Sequence, residues 1–199
     1  MEATVVILIK LPGHLPVKTR LWPVLGEAGA RDFFRECVAK TVACAQMLTH
    51  TPVVAYSPPD ADPREDLPAV RHVKWLPVEG ADGGACLENA LAAADEDRPL
   101  LALGGDAPDL PVSRLVDALE SLATHDAVFV PTGDGGFSLL GLRHPVPGIA
   151  EGFRYGEADA IGVLREFLTS RGLKSALLEP WPDIDTPEDL KRYRERQEG

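Results

Sequence analysis

The chain has 199 residues, of which 45% are hydrophobic and 26% are charged, a composition typical of a soluble globular protein with a single domain. Its formal net charge of −11 argues against a nucleic-acid polymer or an anionic membrane as the partner, because both demand a basic face. No apolar run approaches the ~20 residues of a membrane-spanning helix. The three cysteines, Cys37, Cys44 and Cys86, lack the paired spacing of a zinc site, so a reduced, cytoplasmic protein is the simplest interpretation.

A basic loop follows the first predicted strand, which covers residues 3–9. Between that strand and Gly26 there is no acidic residue, whereas Lys10, Lys18 and Arg20 are cationic. The stretch up to Glu27 contains three prolines, which predicts a long loop, and long ordered loops are usually functional. The loop is therefore a candidate site for a small anionic ligand, the alternative being a solvated loop with scattered surface cations. It lacks the GxxxxGK[ST] spacing of a Walker P-loop.

The next elements alternate between helices and strands, as in an α/β protein. Apolar periodicity predicts a helix over 28–48, followed by strands over 51–56 and 73–78, and Pro77 places the second of these at a sheet edge. The segment between them, 57–66, is predicted to be a surface loop. A glycine-rich turn then leads into a helix that ends near residue 94. Gly83 and Gly84 would let the backbone approach a ligand closely, and Asn89 is either a contact to a base or ribose or an exposed helical asparagine.

The segment 98–110 reads RPLLALGGDAPDL and contains the strongest candidate for a metal ligand. Its apolar run, 100–103, predicts a strand buried on both faces, and Gly104, Gly105 and Asp106 follow where that strand would end. Ligands of open α/β sheets bind at this carboxyl end, and a carboxylate there suits a divalent metal that carries phosphate oxygens. The alternative is that Asp106 and Asp109 serve the turn and the next helix cap.

The last third of the chain is predicted to contain a hairpin and an acidic segment before the terminal helix. A helix over 112–123 precedes strands at 127–130 and 137–142, which a glycine-rich turn at 131–136 connects. A helix over 157–171 and a strand over 174–178 follow. In the segment 183–185, an extended backbone would put both aspartates on one side and the isoleucine on the other. Thr186, Pro187 and Asp189 then form the start signal of the terminal helix.

Four motifs together resemble a bacterial transferase group. They are KLPGHLPVKTRL (10–21), GGDAPDL (104–110), DGGFSLLGL (134–142) and DIDTPEDL (183–190). In order and spacing they are similar to the radical-SAM/selenodomain-associated, glycosyltransferase-A-like transferases, and more distantly to 2-phospholactate guanylyltransferase and the molybdenum cofactor nucleotidyltransferases. The resemblance implies one domain over residues 1–199 with a three-layer α/β/α, Rossmann-like fold around a mixed, mostly parallel sheet.

The resemblance also implies roles for individual residues. Lys10, Lys18 and Arg20 would hold the phosphates of a nucleotide, and Lys18, Arg20 and Asp106 would be catalytic. Asp106 would be the main ligand of Mg²⁺ or Mn²⁺ and Asp185 the second ligand, with Asp183 as its less favoured substitute. Further nucleotide contacts are expected from Gly83, Gly84, Asn89 and Gly105. The acceptor would lie against Asp134, Gly135, Gly136, Phe137 and Glu157.

Three functions fit these residues. The leading hypothesis is a metal-dependent nucleotidyltransferase in which a small phosphorylated or carboxylated acceptor attacks a nucleoside triphosphate and releases pyrophosphate. Such chemistry needs positioning and charge neutralisation more than a protein nucleophile, and the chain has no convincing Ser-His-Asp set. The alternatives are a glycosyltransferase that uses a nucleotide sugar and a non-catalytic nucleotide-binding regulator. The base, the acceptor and a homodimeric state are left open.

Overall fold

A computed structural model describes residues 3–80, 83–92, 97–151 and 159–198 of the chain. Within these residues, seven strands form one sheet in the order β3-β2-β1-β4-β6-β5-β7. The strands are β1 Thr4–Lys10, β2 Val53–Ser57, β3 Lys74–Pro77, β4 Leu100–Gly104, β5 Ala127–Pro131, β6 Phe137–Leu142 and β7 Ser175–Leu177. Strand β6 runs antiparallel to both of its neighbours, and the other pairs are parallel. The described strands other than β6 therefore all end at the same edge of the sheet.

Helices cover both faces of this sheet. They are α1 Trp22–Gln46, α2 Pro63–Asp66, α3 Gly83–Ala92, α4 Val112–Ser121, α5 Ala160–Ser170 and α6 Pro187–Glu198, and a 3₁₀ turn, Thr19–Leu21, precedes α1. Alternate residues of β1 point to opposite faces: Val5 and Ile7 pack with α1 and α4, whereas Val6 packs with α3 and α5. The three-layer α/β architecture with a mixed, mostly parallel sheet is thus confirmed.

A third apolar cluster joins the terminal helix to α1. Its buried members are Leu21, Ala30, Ile184, Leu190 and Tyr193. Leu21 directly follows the basic loop, and Ile184 lies between two aspartates. One small core therefore packs against both the basic loop and the acidic segment 183–185.

The first helix begins earlier than the sequence analysis predicted. It starts at Trp22 and not at residue 28, because Pro23 occupies the first turn, where its missing N–H costs no hydrogen bond. Gly26 has φ 69° and marks a kink inside α1. The prolines and glycines that predicted a loop up to Glu27 therefore partly belong to a helix start, and the basic loop is shorter than expected.

A second correction concerns the segment 57–66, which was predicted to be loop throughout. It contains the short helix α2, because Asp62 accepts a hydrogen bond from the amide of Arg64 and Pro63 occupies the first turn.

Other local predictions are confirmed. Strand β3, which contains Pro77, lies at one edge of the sheet, and β5 and β6 form the antiparallel hairpin. The start of α6 is a reciprocal capping box, in which Thr186 Oγ1 accepts from the amide of Asp189 at 3.3 Å and Asp189 Oδ2 accepts from the amide of Thr186 at 2.8 Å. Among the described residues, none of the helices combines the length and the apolar character needed to cross a bilayer.

Candidate metal and nucleotide site

Three carboxylates meet at the edge where the parallel strands end. Asp106 follows β4, and Asp183 and Asp185 lie in the segment between β7 and α6. One oxygen atom from each of the three lies within 4.8 Å of the others. Asp106 and Asp185 are thus close enough to share one ion. Asp183, considered there only as a substitute for Asp185, is a third member of the same cluster.

The backbone fixes the two segments that bear these carboxylates. The amide of Ile184 donates a hydrogen bond to the carbonyl oxygen of Asp106 at 3.1 Å. The side chain of Ile184 is fully buried in the third apolar cluster, as its position between two aspartates predicted. The aspartates on either side of Ile184 both contribute to the carboxylate cluster instead.

The two glycines before Asp106 have different tasks. A Cβ atom on Gly104 would lie 2.5 Å from Oδ1 of Asp106, so the glycine leaves the space that this carboxylate occupies. A Cβ atom on Gly105 would lie 2.9 Å from the side chain of Ile9 and 3.1 Å from that of Val38. The missing side chain of Gly105 therefore serves packing between β1 and α1, and its predicted nucleotide contact would have to come from the backbone.

Lys18 lies directly against the carboxylates. Its Nζ atom is 2.7 Å from Oδ1 of Asp185 and 3.5 Å from Oδ2 of Asp106, and its side chain is only 4% exposed. Burial lowers the pKa of Lys18, but the charges of Asp106 and Asp185 and the hydrogen bond to Asp185 outweigh it, and the pKa is raised. The ammonium group therefore stays charged although it is buried.

The other two predicted cations of this segment are exposed. Arg20 has a side chain that is 66% exposed, and its Nη1 atom lies 3.6 Å from Oδ2 of Asp185. Lys10 is exposed at the carboxyl end of β1. Arg20 thus presents its guanidinium at the rim of the carboxylate cluster, where a phosphate group could reach it.

The pKa of Asp183 reflects both its burial and the charges of the neighbouring carboxylates. Burial first, and then the charges of Asp106 and Asp185, raise the pKa of Asp183 to about 7. Carboxylate oxygens are the ligands that Mg²⁺ and Mn²⁺ prefer, and an added divalent cation would relieve the repulsion. The donor set and its charge therefore fit such an ion.

The turn between β5 and β6 ends at the same edge. The carboxylate of Asp134 accepts hydrogen bonds from the hydroxyl of Thr132 at 2.5 Å and from the amide of Gly136 at 3.1 Å. Burial raises the pKa of Asp134, but these hydrogen bonds and the charge of Arg20 outweigh it and the pKa is lowered. Gly135, with φ 91°, accepts a hydrogen bond from the amide of Ile161 at the start of α5.

The remaining predicted contact residues are less directly connected with the carboxylates. The ring of Phe137 packs edge-on against Phe129, with 6.0 Å between the ring centres. Asn89 donates its side-chain amide to the carbonyl oxygen of Glu79 and so ties α3 to the loop before it. Gly83 and Gly84 begin α3. Their nucleotide or acceptor contacts stay predictions. Glu157 lies outside the described residues.

An ion pair that no local sequence pattern reveals holds the basic loop. The carboxylate of Asp66 is 3% exposed and accepts hydrogen bonds from the amide of Gly13 at 2.7 Å and from Nη2 of Arg35 at 2.6 Å. Gly13 is 53 residues away in sequence, so no local pattern could reveal the contact. This clamp fixes the loop five residues before Lys18.

Asp109 also has a structural task that the sequence did not indicate. Its two carboxylate oxygens accept from Nε1 of Trp181 at 3.2 Å and from Nε of Arg196 at 2.7 Å. The helix α4 begins after Pro111, so Asp109 is not its cap. It instead joins the loop after β4 to the segment before Asp183 and to α6.

These features define an α/β protein of the nucleotide-diphospho-sugar-transferase fold, with an acidic cluster at the carboxyl edge of its sheet. A family model described as an uncharacterized protein conserved in bacteria, DUF2064, matches residues 40–157, and the chain belongs to this family. A search of curated proteins gave no match.

Three solved structures with the same fold bear on nucleotide or metal binding. A candidate nucleotide-diphospho-sugar transferase from Desulfovibrio desulfuricans G20 has a TM-score of 0.84 and 28% identity, over 99% of this chain and 89% of the other. The 2-C-methyl-D-erythritol 4-phosphate cytidylyltransferase of Thermus thermophilus has a TM-score of 0.60 and 18% identity over 100% of both chains. A Mycobacterium tuberculosis H37Rv protein in complex with manganese has a TM-score of 0.62 and 16% identity, over 98% of this chain and 99% of the other.

Proposed function

We propose that this protein is a metal-dependent nucleotidyltransferase. It would transfer a nucleoside monophosphate from a nucleoside triphosphate to a small phosphorylated or carboxylated acceptor and release pyrophosphate. The observation that carries the proposal is the cluster of Asp106, Asp183 and Asp185, with Lys18 and Arg20 against it, where the parallel strands end.

The residues of the chain would divide the work between binding and positioning. Asp106, Asp183 and Asp185 would hold Mg²⁺ or Mn²⁺, which withdraws negative charge from phosphate oxygens when it is bound. Arg20 is exposed at the rim and would donate hydrogen bonds to the triphosphate. The turn around Asp134 borders the same edge and would orient the acceptor, whose oxygen attacks the α-phosphorus while pyrophosphate leaves.

The related structures support nucleotide chemistry but name two kinds of reaction. The Thermus thermophilus relative is a cytidylyltransferase, and the Mycobacterium tuberculosis relative contains manganese. The Desulfovibrio desulfuricans relative, which is more similar in sequence, is described as a candidate nucleotide-diphospho-sugar transferase. A glycosyltransferase is therefore the second candidate, in which the same metal site would hold the diphosphate of a nucleotide sugar.

A binding screen followed by product analysis separates the two candidates. The melting temperature is measured with each nucleoside triphosphate and with common nucleotide sugars, with and without Mg²⁺. A ligand at a hundredfold excess over its Kd stabilises the native state by about 2.7 kcal/mol. Metal-dependent stabilisation by a triphosphate, with release of pyrophosphate in the presence of acceptors, supports the proposal. Stabilisation by nucleotide sugars only, with release of a nucleoside diphosphate, would transfer support to the glycosyltransferase.

Asp106→Asn tests the metal site directly. The substitution changes a carboxylate that would bind the metal and is expected to weaken Mn²⁺ binding by about 100-fold, because loss of a residue that only supports a metal ligand already costs about 10–100-fold. Mn²⁺ affinity is measured by electron paramagnetic resonance on the protein without nucleotide, with Asp60→Asn at an exposed position as the matched control. Wild-type affinity in the Asp106 variant would refute the assignment.

A further inference from the structure

The ammonium group of Lys18 lies among the carboxylates to which a divalent cation would bind. We propose that Lys18 is an internal counter-ion, which holds these carboxylates together before the metal arrives and is then displaced towards the phosphates of the nucleotide. This inference rests on the proposed function and deepens it, because it assigns to one residue the coupling between metal and nucleotide binding.

The ammonium group of Lys18 contacts two of the carboxylates directly. The Nζ atom of Lys18 is 2.7 Å from Oδ1 of Asp185 and 3.5 Å from Oδ2 of Asp106. A metal bonds carboxylate oxygens at roughly 2.0–2.6 Å, so an ion shared by Asp106 and Asp185 would lie close to the ammonium group that contacts both of them now. Two cations at such short range from one another repel. Lys18 and the metal are therefore competitors for the same carboxylates.

Lys18 and Arg20, which lie in the same loop, differ in the exposure of their side chains. Lys18 has a side chain that is 4% exposed, whereas that of Arg20, two residues later, is 66% exposed. A lysine that only waited for phosphate would gain nothing from leaving water, because burial of an ammonium group is costly unless it is paired. The two cations therefore have different tasks in the free protein.

The backbone of Lys18 has an uncommon conformation. It has φ 47° and ψ 42°, the left-handed conformation that L-residues with a Cβ rarely adopt. The clamp of Asp66 on Gly13 holds one end of the loop, and the ion pair with Asp185 holds the other. Displacement of the ammonium group would free this strained residue to turn its side chain outwards.

The test begins with metal alone and the variant Lys18→Met, which keeps the length of the side chain and removes its charge. Loss of the competing cation is expected to tighten Mn²⁺ binding about tenfold. The variant should also melt at a lower temperature than the wild type in EDTA, and Mn²⁺ should remove most of that difference. Lys74→Met, on the exposed edge strand β3, is the matched control for the change in net charge. Unchanged or weaker Mn²⁺ binding in Lys18→Met would refute the counter-ion role.

The second stage measures the binding of inorganic tripolyphosphate by calorimetry, in EDTA and at saturating free Mn²⁺. If the metal releases Lys18, the Lys18→Met substitution weakens tripolyphosphate binding about tenfold with Mn²⁺ and leaves it unchanged in EDTA. Equal weakening in both conditions would overturn the displacement, because Lys18 would then bind phosphate without help from the metal.

The two stages separate this inference from the proposed function. A wild-type protein that binds Mn²⁺ but not tripolyphosphate in either condition would overturn the proposed function and the displacement step. The Mn²⁺ affinities would then still decide the counter-ion role. Conversely, metal-dependent binding of tripolyphosphate by the wild type, together with identical Mn²⁺ affinities of wild type and Lys18→Met, would overturn the inference alone.

Discussion

Two acidic regions of the molecule lie at the two ends of the loop 11–18, and they differ in how their charge is compensated. At one end, the buried carboxylate of Asp66 receives hydrogen bonds from the amide of Gly13 and from the guanidinium of Arg35. At the other end, three carboxylates lie within 4.8 Å of one another beside the ammonium group of Lys18. Both regions bury acidic groups, so burial of an acid does not distinguish them. They differ in the balance between the negative charges and their donors.

The comparison also explains why one loop can be both fixed and responsive. Asp66 supplies an anchor whose charge is compensated by the amide of Gly13 and the guanidinium of Arg35. The cluster around Asp185 carries an excess of negative charge, so it is the end that a ligand can alter. Replacement of Asp66 and replacement of Asp183 should consequently change the stability of the protein in opposite directions.

Asp66→Ala should have the largest effect on stability. It leaves the amide of Gly13 without its acceptor and removes the buried carboxylate partner of Arg35, which costs about 2 kcal/mol of unfolding free energy. In a chain of this length the melting temperature would fall by about 4–8 °C. Asp32→Ala removes the other, 75% exposed carboxylate partner of Arg35 and should change stability by less than about 0.5 kcal/mol. Equal effects of the two substitutions would show that Asp66 is no anchor.

Asp183→Asn should have a smaller effect of opposite sign. It removes one of three like charges from a half-buried site and is expected to raise the melting temperature of the metal-free protein at pH 8 by about 2–4 °C, which corresponds to about 1 kcal/mol. The further rise on addition of Mn²⁺ should be smaller than in the wild type. A melting temperature below that of the wild type in EDTA would contradict the charge imbalance on which the comparison rests.

Asp134→Ala should have the smallest effect, and this effect should depend on pH. The loss of the hydrogen bonds from Thr132 and Gly136 is expected to cost about 0.5–1 kcal/mol at pH 7, or about 1–4 °C. Because the pKa of Asp134 is lowered in the folded protein, its ionised form contributes stability above the ordinary value of 3.8. This contribution to stability is lost as the pH falls through the lower pKa that Asp134 has in the folded protein. The difference in melting temperature between the variant and the wild type should therefore shrink as the pH falls below 3.8, and a difference that does not change with pH would contradict the assignment.

Local rules were sufficient for several parts of the fold and the site. The position of Asp106 follows from an apolar run that ends in two glycines, because such a strand in an open α/β sheet delivers its next residues to the carboxyl edge. The edge position of β3 follows from Pro77, and the start of α6 follows from the spacing of Thr186 and Asp189. Each of these signals lies within a few residues of the feature that it predicts.

The remaining features depend on contacts between distant residues. Asp66 and Gly13 are separated by 53 residues, and Lys18 and Asp185 by 167, so no window of the sequence contains both partners. The early start of α1 was missed for another reason: Pro23 and Gly26 are as typical of loops as of a helix start and a kink. Tertiary packing of Leu21 in the third apolar cluster decides between the two.

Main-chain atoms join the two segments that carry the acidic side chains, since the amide of Ile184 donates to the carbonyl oxygen of Asp106. This main-chain hydrogen bond does not depend on which side chains occupy positions 106, 183 and 185. The spacing between the two backbone segments is therefore set without the acidic side chains. For protein engineering this means that the carboxyl edge of the sheet provides a template. Histidine or cysteine could replace aspartate there to favour a softer metal such as zinc, without redesign of the sheet.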